Sequence, residues 1–241
     1  MYQKIKPAAE VYHIIDSFWT FSNNEVFENF KLLPDTCTDL IFDLTHDQGF
    51  ISGVMTNFQH RELPAKSDLL GIRFKTENFG SLSKIPLNEI KNSRVEWSQI
   101  FLAHNLDRLK QLSDLATIPA KISFLENFIS ITLRENYEKQ DKMVLSVAEN
   151  IRLLKGNMSI RNLATLNHIS LRQLERRFKN YMGLTIKEFA SIVRFSTTKK
   201  AIASFSETSL LSIAFDMGFY DHSHMNYEFN RITGENPGFF R

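Results

Sequence analysis

The segment Ser170 to Gly183, SLRQLERRFKNYMG, gathers three arginines and a lysine within one short helical span. At helical spacing Arg172, Arg176 and Lys179 share a stripe with Glu175 at its edge, while Leu171, Leu174, Phe178 and Tyr181 form another. Ser170 suits an N-cap, because its hydroxyl can accept a hydrogen bond from an orphan backbone amide. Gly183 suits a stop, because glycine enters the left-handed cap conformation at no steric cost. Guanidinium and ammonium groups on the outer face of such a helix either meet a polyanion or stand as a solvated charged face. What surrounds the helix decides between the two.

Other reactive residue types are scattered. An alternative reading is a cupin-like metal-dependent enzyme, or a ligand-binding protein with an accessory helical domain. That chemistry needs two histidines two residues apart plus a further acid and histidine. His13, His46, His60 and His104 offer no such pair, and His222 with His224 falls inside a helical motif. Asp35, Asp39 and Asp43 recur every fourth residue across a turn and a strand, and read as solvated or turn-forming. Cys37 is the only cysteine, which excludes disulfide frameworks and four-cysteine zinc sites within one chain; it reads as a small buried apolar residue. Nucleophile-elbow and phosphate-loop motifs are missing from the sequence. The expectation is a protein that is not an enzyme and holds no metal or cofactor.

The 241 residues, 43% apolar and with 21 phenylalanines, are enough for one large or two ordinary domains. The formal net charge of +2 is unevenly divided: residues 1–140 hold 15 Lys and Arg against 18 Asp and Glu, and residues 141–241 hold 14 against 9. The basic surplus therefore lies in the last hundred residues, as in a portion that meets a polyanion. The opening MYQKIKPAAEVYHIIDSFW lacks the apolar run of a signal peptide, and no stretch approaches the ~20 apolar residues of a membrane span. A soluble, cytoplasmic protein without a membrane partner is expected.

Three regions are expected to position these residues. Residues 1–98 carry β signals: DLIFDL sets Leu40, Phe42 and Leu44 against Asp39 and Asp43, and LGIRFKT sets Ile72 and Phe74 against Arg73 and Lys75. Pro34-Asp35, Asp47-Gln48-Gly49 and Asn78-Phe79-Gly80 read as turns between them, giving a small barrel or sandwich. Residues 99–140 read as a connecting helix pair: Ile100, Leu102, Leu106, Leu109 and Leu112, a break at Thr117-Ile118-Pro119, then Ile122, Leu125, Phe128, Ile129 and Leu133. One face would cover the β region, and a second could pack internally or seat another copy of the chain.

Residues 141–241 read as all-α and duplicated. Leu163-Ala164 recurs as Ile213-Ala214 at an offset of 50, while Ser170, Leu174, Phe178 and Gly183 recur as Asp221, Met225, Phe229 and Gly234 at an offset of 51. Each copy reads as a short helix with an inward alanine, a tight turn, a capped helix and a glycine stop; Asn167 and Gly218 are the expected left-handed turn residues. Thr185-Ile186-Lys187-Glu188 is a capping box opening a helix to about Phe205, a stiff rod between the copies. The fold class is therefore α+β, a β-barrel or sandwich-like domain and helix pair followed by two helix-turn-helix units joined by a long helix. A purely structural helical repeat would have the same spacing.

Residues 145–241 resemble the DNA-binding domain of AraC/XylS-type bacterial transcription regulators. The likeness is carried by LATLNHISLRQLERRFKNYMGLTIKEF with Arg194, and by IAFDMGFYDHSHMNYEFNRITGENPGFFR with Gly218-Phe219, Ser223-His224, Gly234, Pro237 and Arg241. The N-terminal half is similar, through LPDTCTDLIFDL and GIRF, to a β-rich sensor-like domain found ahead of such units. The resemblance implies that helices at about 170–182 and 221–233 enter successive major grooves of double-stranded DNA. RNA polymerase, a small-molecule effector at the N-terminal domain and a second copy of the chain are further partners it implies.

Carried over by position, Arg172, Glu175 and Arg176 look toward base edges, since arginine can pair with guanine O6 and N7 and glutamate can accept from cytosine N4. Lys179 and Arg161 fit phosphate contacts. Glu175 could instead pair with Arg172 or Lys179 within the helix. The second motif departs from the pattern: a basic residue is usual where Tyr227 and Asn230 stand, and Met225 replaces a typical aromatic. Its outward residues are His222, Ser223, Asn226, Tyr227 and Asn230, so this half should add less affinity and less salt sensitivity. Arg194 reads as structural or phosphate-touching.

Overall fold

The computed structural model describes residues 1–23, 28–101 and 103–241, without the side chains of residues 28, 29 and 103–105. Leu102 and the side chain of His104 thus lie outside the described residues.

The N-terminal half is built on strands β1 (Tyr2–Ile5), β2 (Ile15–Ser22), β3 (Glu28–Leu32), β4 (Cys37–Asp43), β5 (Gln48–Ser52), β6 (Gln59–Leu63), β7 (Asp68–Lys75) and β8 (Arg94–Glu96). Among the described residues, six of them form one antiparallel sheet in the order β1-β2-β7-β4-β5-β8, and β3 pairs with β6 as a separate ribbon. The sheet is open, with β1 and β8 as edges, so the barrel alternative falls away. Alternation decides which side chains meet. Leu40 and Phe42 of β4 and Leu70, Ile72 and Phe74 of β7 are buried in the main core on one face. Trp19, Phe21 and Leu69 turn to the other face, where Phe30 and Leu63 of the ribbon cover them. Trp19 lies flat across Gly71, where a Cβ would stand 2.0 Å from the indole, so only glycine fits beneath it.

The three aspartates are engaged rather than solvated. Asp39 accepts two hydrogen bonds from Arg73 at 3.1 Å and one from Trp19 Nε1 at 2.9 Å. Asp35 turns the chain by accepting from the Cys37 amide at 3.0 Å and also pairs with Arg73 at 3.2 Å. Asp43 accepts from the Thr45 and His46 amides, the expected turn role. Burial pushes the Cys37 thiol well above its usual range.

A helical layer covers the main core: α1 (Thr76–Phe79), α2 (Trp97–Ile100), α3 (Ala103–Lys110) and α4 (Ile118–Glu135). Asn78 and Phe79, expected in a turn, belong to α1, because this single helical turn drops Phe79 into the core between Phe74 and Phe101, at centroid distances of 5.2 and 6.3 Å. The helix expected from Trp97 onward is split. Phe101 takes an extended conformation at the end of α2 and is fully buried, and the helix resumes as α3. Burying this ring outweighs the continuity of one helix, since a fully buried phenylalanine contributes about 1.5–3 kcal/mol. Leu109 and Leu112, with Leu125, Phe128, Ile129 and Leu133 of α4, pack on the sheet, and Thr117 caps α4.

The C-terminal half is helical: α5 (Lys142–Leu153), α6 (Ile160–Leu166), α7 (Leu171–Met182), α8 (Ile186–Ser204), α9 (Leu210–Asp216) and α10 (His222–Thr233), closed by a 3-10 turn at Pro237–Phe240. Two cores share α8. Phe189, Ile192 and Val193 join Leu163, Ala164, Leu174, Phe178 and α5, whereas Phe195 and Ile202 join Ile213, Ala214, Phe219, Met225 and Phe229. Its 19 residues span about 28 Å at 1.5 Å per residue. The turn expected at Asn167 uses the next residue instead. His168 has the positive φ of 53°, and Asn167 keeps a negative φ of −95° while its side-chain amide donates to the Leu163 carbonyl at 2.9 Å. His168 and Gly218, at φ 75°, share the offset of 50, so the duplication extends through the turn.

Candidate nucleic-acid interface

Helix α7 is fixed at both ends. Ser170 Oγ accepts from the Gln173 amide at 3.3 Å and Gln173 Oε1 accepts from the Ser170 amide at 3.1 Å; Gly183, at φ 73°, donates to the Lys179 carbonyl at 2.9 Å. The capping partner Gln173 was legible as a glutamine three residues after a serine but not singled out. Leu174, Phe178 and Met182 are buried, Leu171 is 37% exposed and Tyr181 is half-buried, so the inner seam is narrower than expected and Met182 completes it.

Arg172, Glu175, Arg176 and Lys179 are all exposed. Among the described residues their side chains make no ion pair, and Glu175 does not join Arg172 or Lys179. Arg177 differs: it is held by Asp141, the N-cap of α5. Arg176 and Asn180 line an open groove of about 620 Å³ with Gln173 and Tyr181. Arg161, exposed in the first turn of α6, stands nearby in sequence order but not on α7 itself.

Helix α10 is built the same way. Asp221 caps it by accepting from the His224 amide at 2.7 Å, Gly234 ends it at φ 73°, and Met225, Phe229 and Ile232 face inward. Of its outward residues, Ser223, Tyr227 and Asn230 are exposed, with Tyr227 at 66%. His222 and Asn226 are half-buried and 3.3 Å apart through Nδ1 and Nδ2. His224 is structural, accepting from the Tyr220 amide at 3.3 Å beside the Phe219 ring. Arg231, the one cation of this helix, is committed to Glu228 at 2.8 Å and to Ser191 Oγ at 2.9 Å. Burial opposes ionisation of Glu228, but hydrogen bonds from Arg231 and Ser191 win and hold its carboxyl below the usual range. Arg194 is structural: it donates to the Gly218 carbonyl at 3.3 Å and lies 5.1 Å from the Phe219 ring centre, tying the second turn to α8.

The β half touches both units at the same place. A Cβ on Gly183 would stand 2.7 Å from the Leu87 carbonyl oxygen, and one on Gly234 would stand 3.0 Å from the Phe58 ring. The Phe58 amide also donates to the Ile232 carbonyl at 2.8 Å. Ion pairs reinforce the docking: Glu77 with Arg152 at 2.8 Å, Lys91 with Glu188 at 3.1 Å and Lys31 with Glu235 at 2.6 Å. The Leu87 and Phe58 contacts meet the C-terminal ends of α7 and α10, the Glu77 and Lys91 pairs reach α5 and the start of α8, and all leave Arg172, Arg176, Ser223 and Tyr227 exposed. Periodicity carries no signal for such contacts, and sequence reading missed them.

Residues 163–241, running from α6 to the last residue, match the helix-turn-helix domain family. The C-terminal portion is an AraC-type helix-turn-helix domain. Residues 3–96, ahead of it, match a domain family of unknown function. The chain is similar to a 1.65 Å structure of ToxT from Vibrio cholerae, at 11% identity over 99% of this chain and 97% of that one, with a TM-score of 0.45. It is also similar to an unsaturated fatty acid-bound ToxT from Vibrio cholerae strain SCE256, at 12% identity over 93% and 92%, with a TM-score of 0.39. No curated protein matches the chain. Among the described residues, the AraC-type domain and the sheet ahead of it contain no group of three His, Cys, Asp or Glu placed to hold a metal ion, and no helix long and apolar enough to cross a membrane.

Proposed function

We propose that the chain is a sequence-specific DNA-binding regulator of transcription that places α7 and α10 in successive major grooves. The observation that carries this reading is the set of exposed cations Arg172, Arg176 and Lys179, unpaired among the described residues, on a helix capped at both ends. Unpaired surface cations are ordinary, but here the domain around them is a duplicated helix-turn-helix. Arg172 and Arg176 read guanine edges, Glu175 accepts from cytosine, and Arg161 and Lys179 hold phosphates. In the second unit Asn226 reads adenine with His222 and Ser223 beside it, and Tyr227 and Asn230 meet the backbone or a thymine methyl. Residues 1–98 act as the sensor or dimerisation domain, 99–140 as its helix pair and 141–241 as the DNA-binding domain. The work is done in the cytoplasm, and a small-molecule effector acts through the β-rich half.

Selection of DNA from a random pool by the full chain tests this. Two sequence elements with centres about 10 base pairs apart are expected. Binding without sequence preference, or one element only, would overturn the two-groove reading.

A further inference from the structure

Arg177 stands apart from the other cations of α7 in how it is held. Its Nε donates to Asp141 Oδ2, while Asp141 Oδ1 accepts from the Val144 amide at 3.1 Å and so caps α5. The side chain of Asp141 is 13% exposed and that of Arg177 is 55% exposed, so the carboxylate faces the protein and the guanidinium faces solvent. Both Nη groups of Arg177, and the exposed side chain of Asn180 three residues on, lack a hydrogen-bond partner among the described residues. A guanidinium fixed through Nε alone keeps its remaining N–H donors in a rigid fork.

These groups border the open groove beside α7. Gln173, Arg176, Arg177 and Asn180 line it, and its one acid, Asp141, is engaged with the α5 cap and with Arg177. At about 100° per residue, Arg177 and Asn180 fall to one side of Arg176, and Lys179 falls to the other. The second unit offers no counterpart. At the offset of 51, Glu228 and Arg231 stand where Arg177 and Asn180 do, and they pair with one another at 2.8 Å.

We propose that this groove is a phosphate site for the DNA backbone, in which Asp141 presents Arg177 as a preformed fork and Asn180 supplies a further donor. The proposal rests on the DNA-binding reading and adds to it the strand that Lys179 does not reach. A helix in a major groove is walled by phosphates on both flanks, and α7 then holds both. Arginine suits the role because two of its parallel N–H groups match two oxygens of one phosphate. Asp141 acts in two ways of opposite sign. Its charge repels phosphate, whereas its hold on Arg177 orders the side chain before DNA arrives and removes a cost otherwise met on binding.

Fluorescence anisotropy of the full chain with a duplex of mixed sequence, across a salt series, tests the site, because phosphate contacts carry no sequence preference. Arg177→Ala is expected to weaken binding about tenfold and to flatten the slope of log K against log salt by about one. Asp141→Asn keeps an oxygen for the α5 cap and deletes the anion. It is expected to weaken binding about two- to fivefold, where the change of charge alone would tighten it. Arg177→Lys, which keeps the charge and loses the fork, is expected to bind between the unaltered chain and Arg177→Ala with the slope retained. If Asp141→Asn fails to fold, Arg177→Lys carries the comparison. An unchanged slope in Arg177→Ala, equal or tighter binding by Asp141→Asn, or full affinity in Arg177→Lys overturns the proposal. Arg176→Ala, measured alongside, separates the two readings. A full chain that binds no duplex overturns the DNA-binding reading and the site with it, whereas binding that Arg176→Ala weakens and Arg177→Ala does not overturns the site alone.

Discussion

The two helix-turn-helix units share caps, inward residues and glycine stops, yet their outer faces differ in kind. On α7, Arg172, Arg176 and Lys179 have no ion-pair partner among the described residues; on α10, the lone Arg231 is tied to Glu228 and Ser191. The scaffold is thus repeated while the chemistry is not. Inward positions are held by packing density, which tolerates little change, whereas outward positions answer only to what they touch. On the proposed reading, one unit attracts phosphates at a distance and the other reads or packs at close range.

The largest effect that tests this contrast is on affinity. Arg176→Ala should cost about 1–3 kcal/mol of operator binding, measured by fluorescence anisotropy at fixed salt, and Asn226→Ala clearly less. A larger loss from Asn226→Ala would reverse the assignment of the dominant unit. Salt dependence comes next. Lys179→Ala should flatten the slope of log K against log salt by about one, while Asn230→Ala should leave it unchanged. If both slopes fall together, the electrostatic asymmetry is wrong.

A third expectation concerns acid. Glu228 has a lowered carboxyl pKa in the fold, so its pair with Arg231 adds stability above the ordinary value of 4.5 and loses it as pH falls through the folded value. The melting temperature of Glu228→Gln should therefore lie roughly 2–4 °C below that of the unaltered chain at pH 7, and the gap should close toward pH 3. A gap that persists at pH 3 would place its cause in packing. The smallest effect follows from the same substitution. Releasing Arg231 should raise DNA affinity by about twofold and steepen the salt slope slightly, narrowing the difference between the units.

Much of this was legible because helix ends and inward faces are local properties. Ser170, Thr185, Gly183 and Gly234 do what their residue types announce, and Leu40, Phe42, Ile72 and Phe74 alternate as strands must. The strands β1, β3, β6 and β8 were not legible, since short edge and ribbon strands such as Tyr2–Ile5 and Arg94–Glu96 bury little and keep no clean alternation. The break at Phe101 and the substitution of His168 for Asn167 in the turn come from tertiary packing and backbone detail beyond any local pattern. The same holds for the aspartates. Spacing placed Asp35 and Asp39 correctly on a turn and a strand, but their partner Arg73 comes from a strand 34 residues beyond Asp39. For the reading face, outward exposure of Arg172, Arg176 and Lys179 followed from helical geometry, while the capture of Arg177 by Asp141 needed three dimensions.

The contacts of Leu87 on Gly183 and of Phe58 on Gly234 give the β-rich half a hold on both heads at once. Their spacing is therefore gauged by two rulers, the rod α8 and the sheet. Since one base-pair step turns the duplex by about 35°, under the proposed two-groove binding a modest tilt of the sheet against the rod would put one head out of phase with its groove. A molecule that wedges or relaxes the sheet could then govern DNA occupancy without approaching either reading helix.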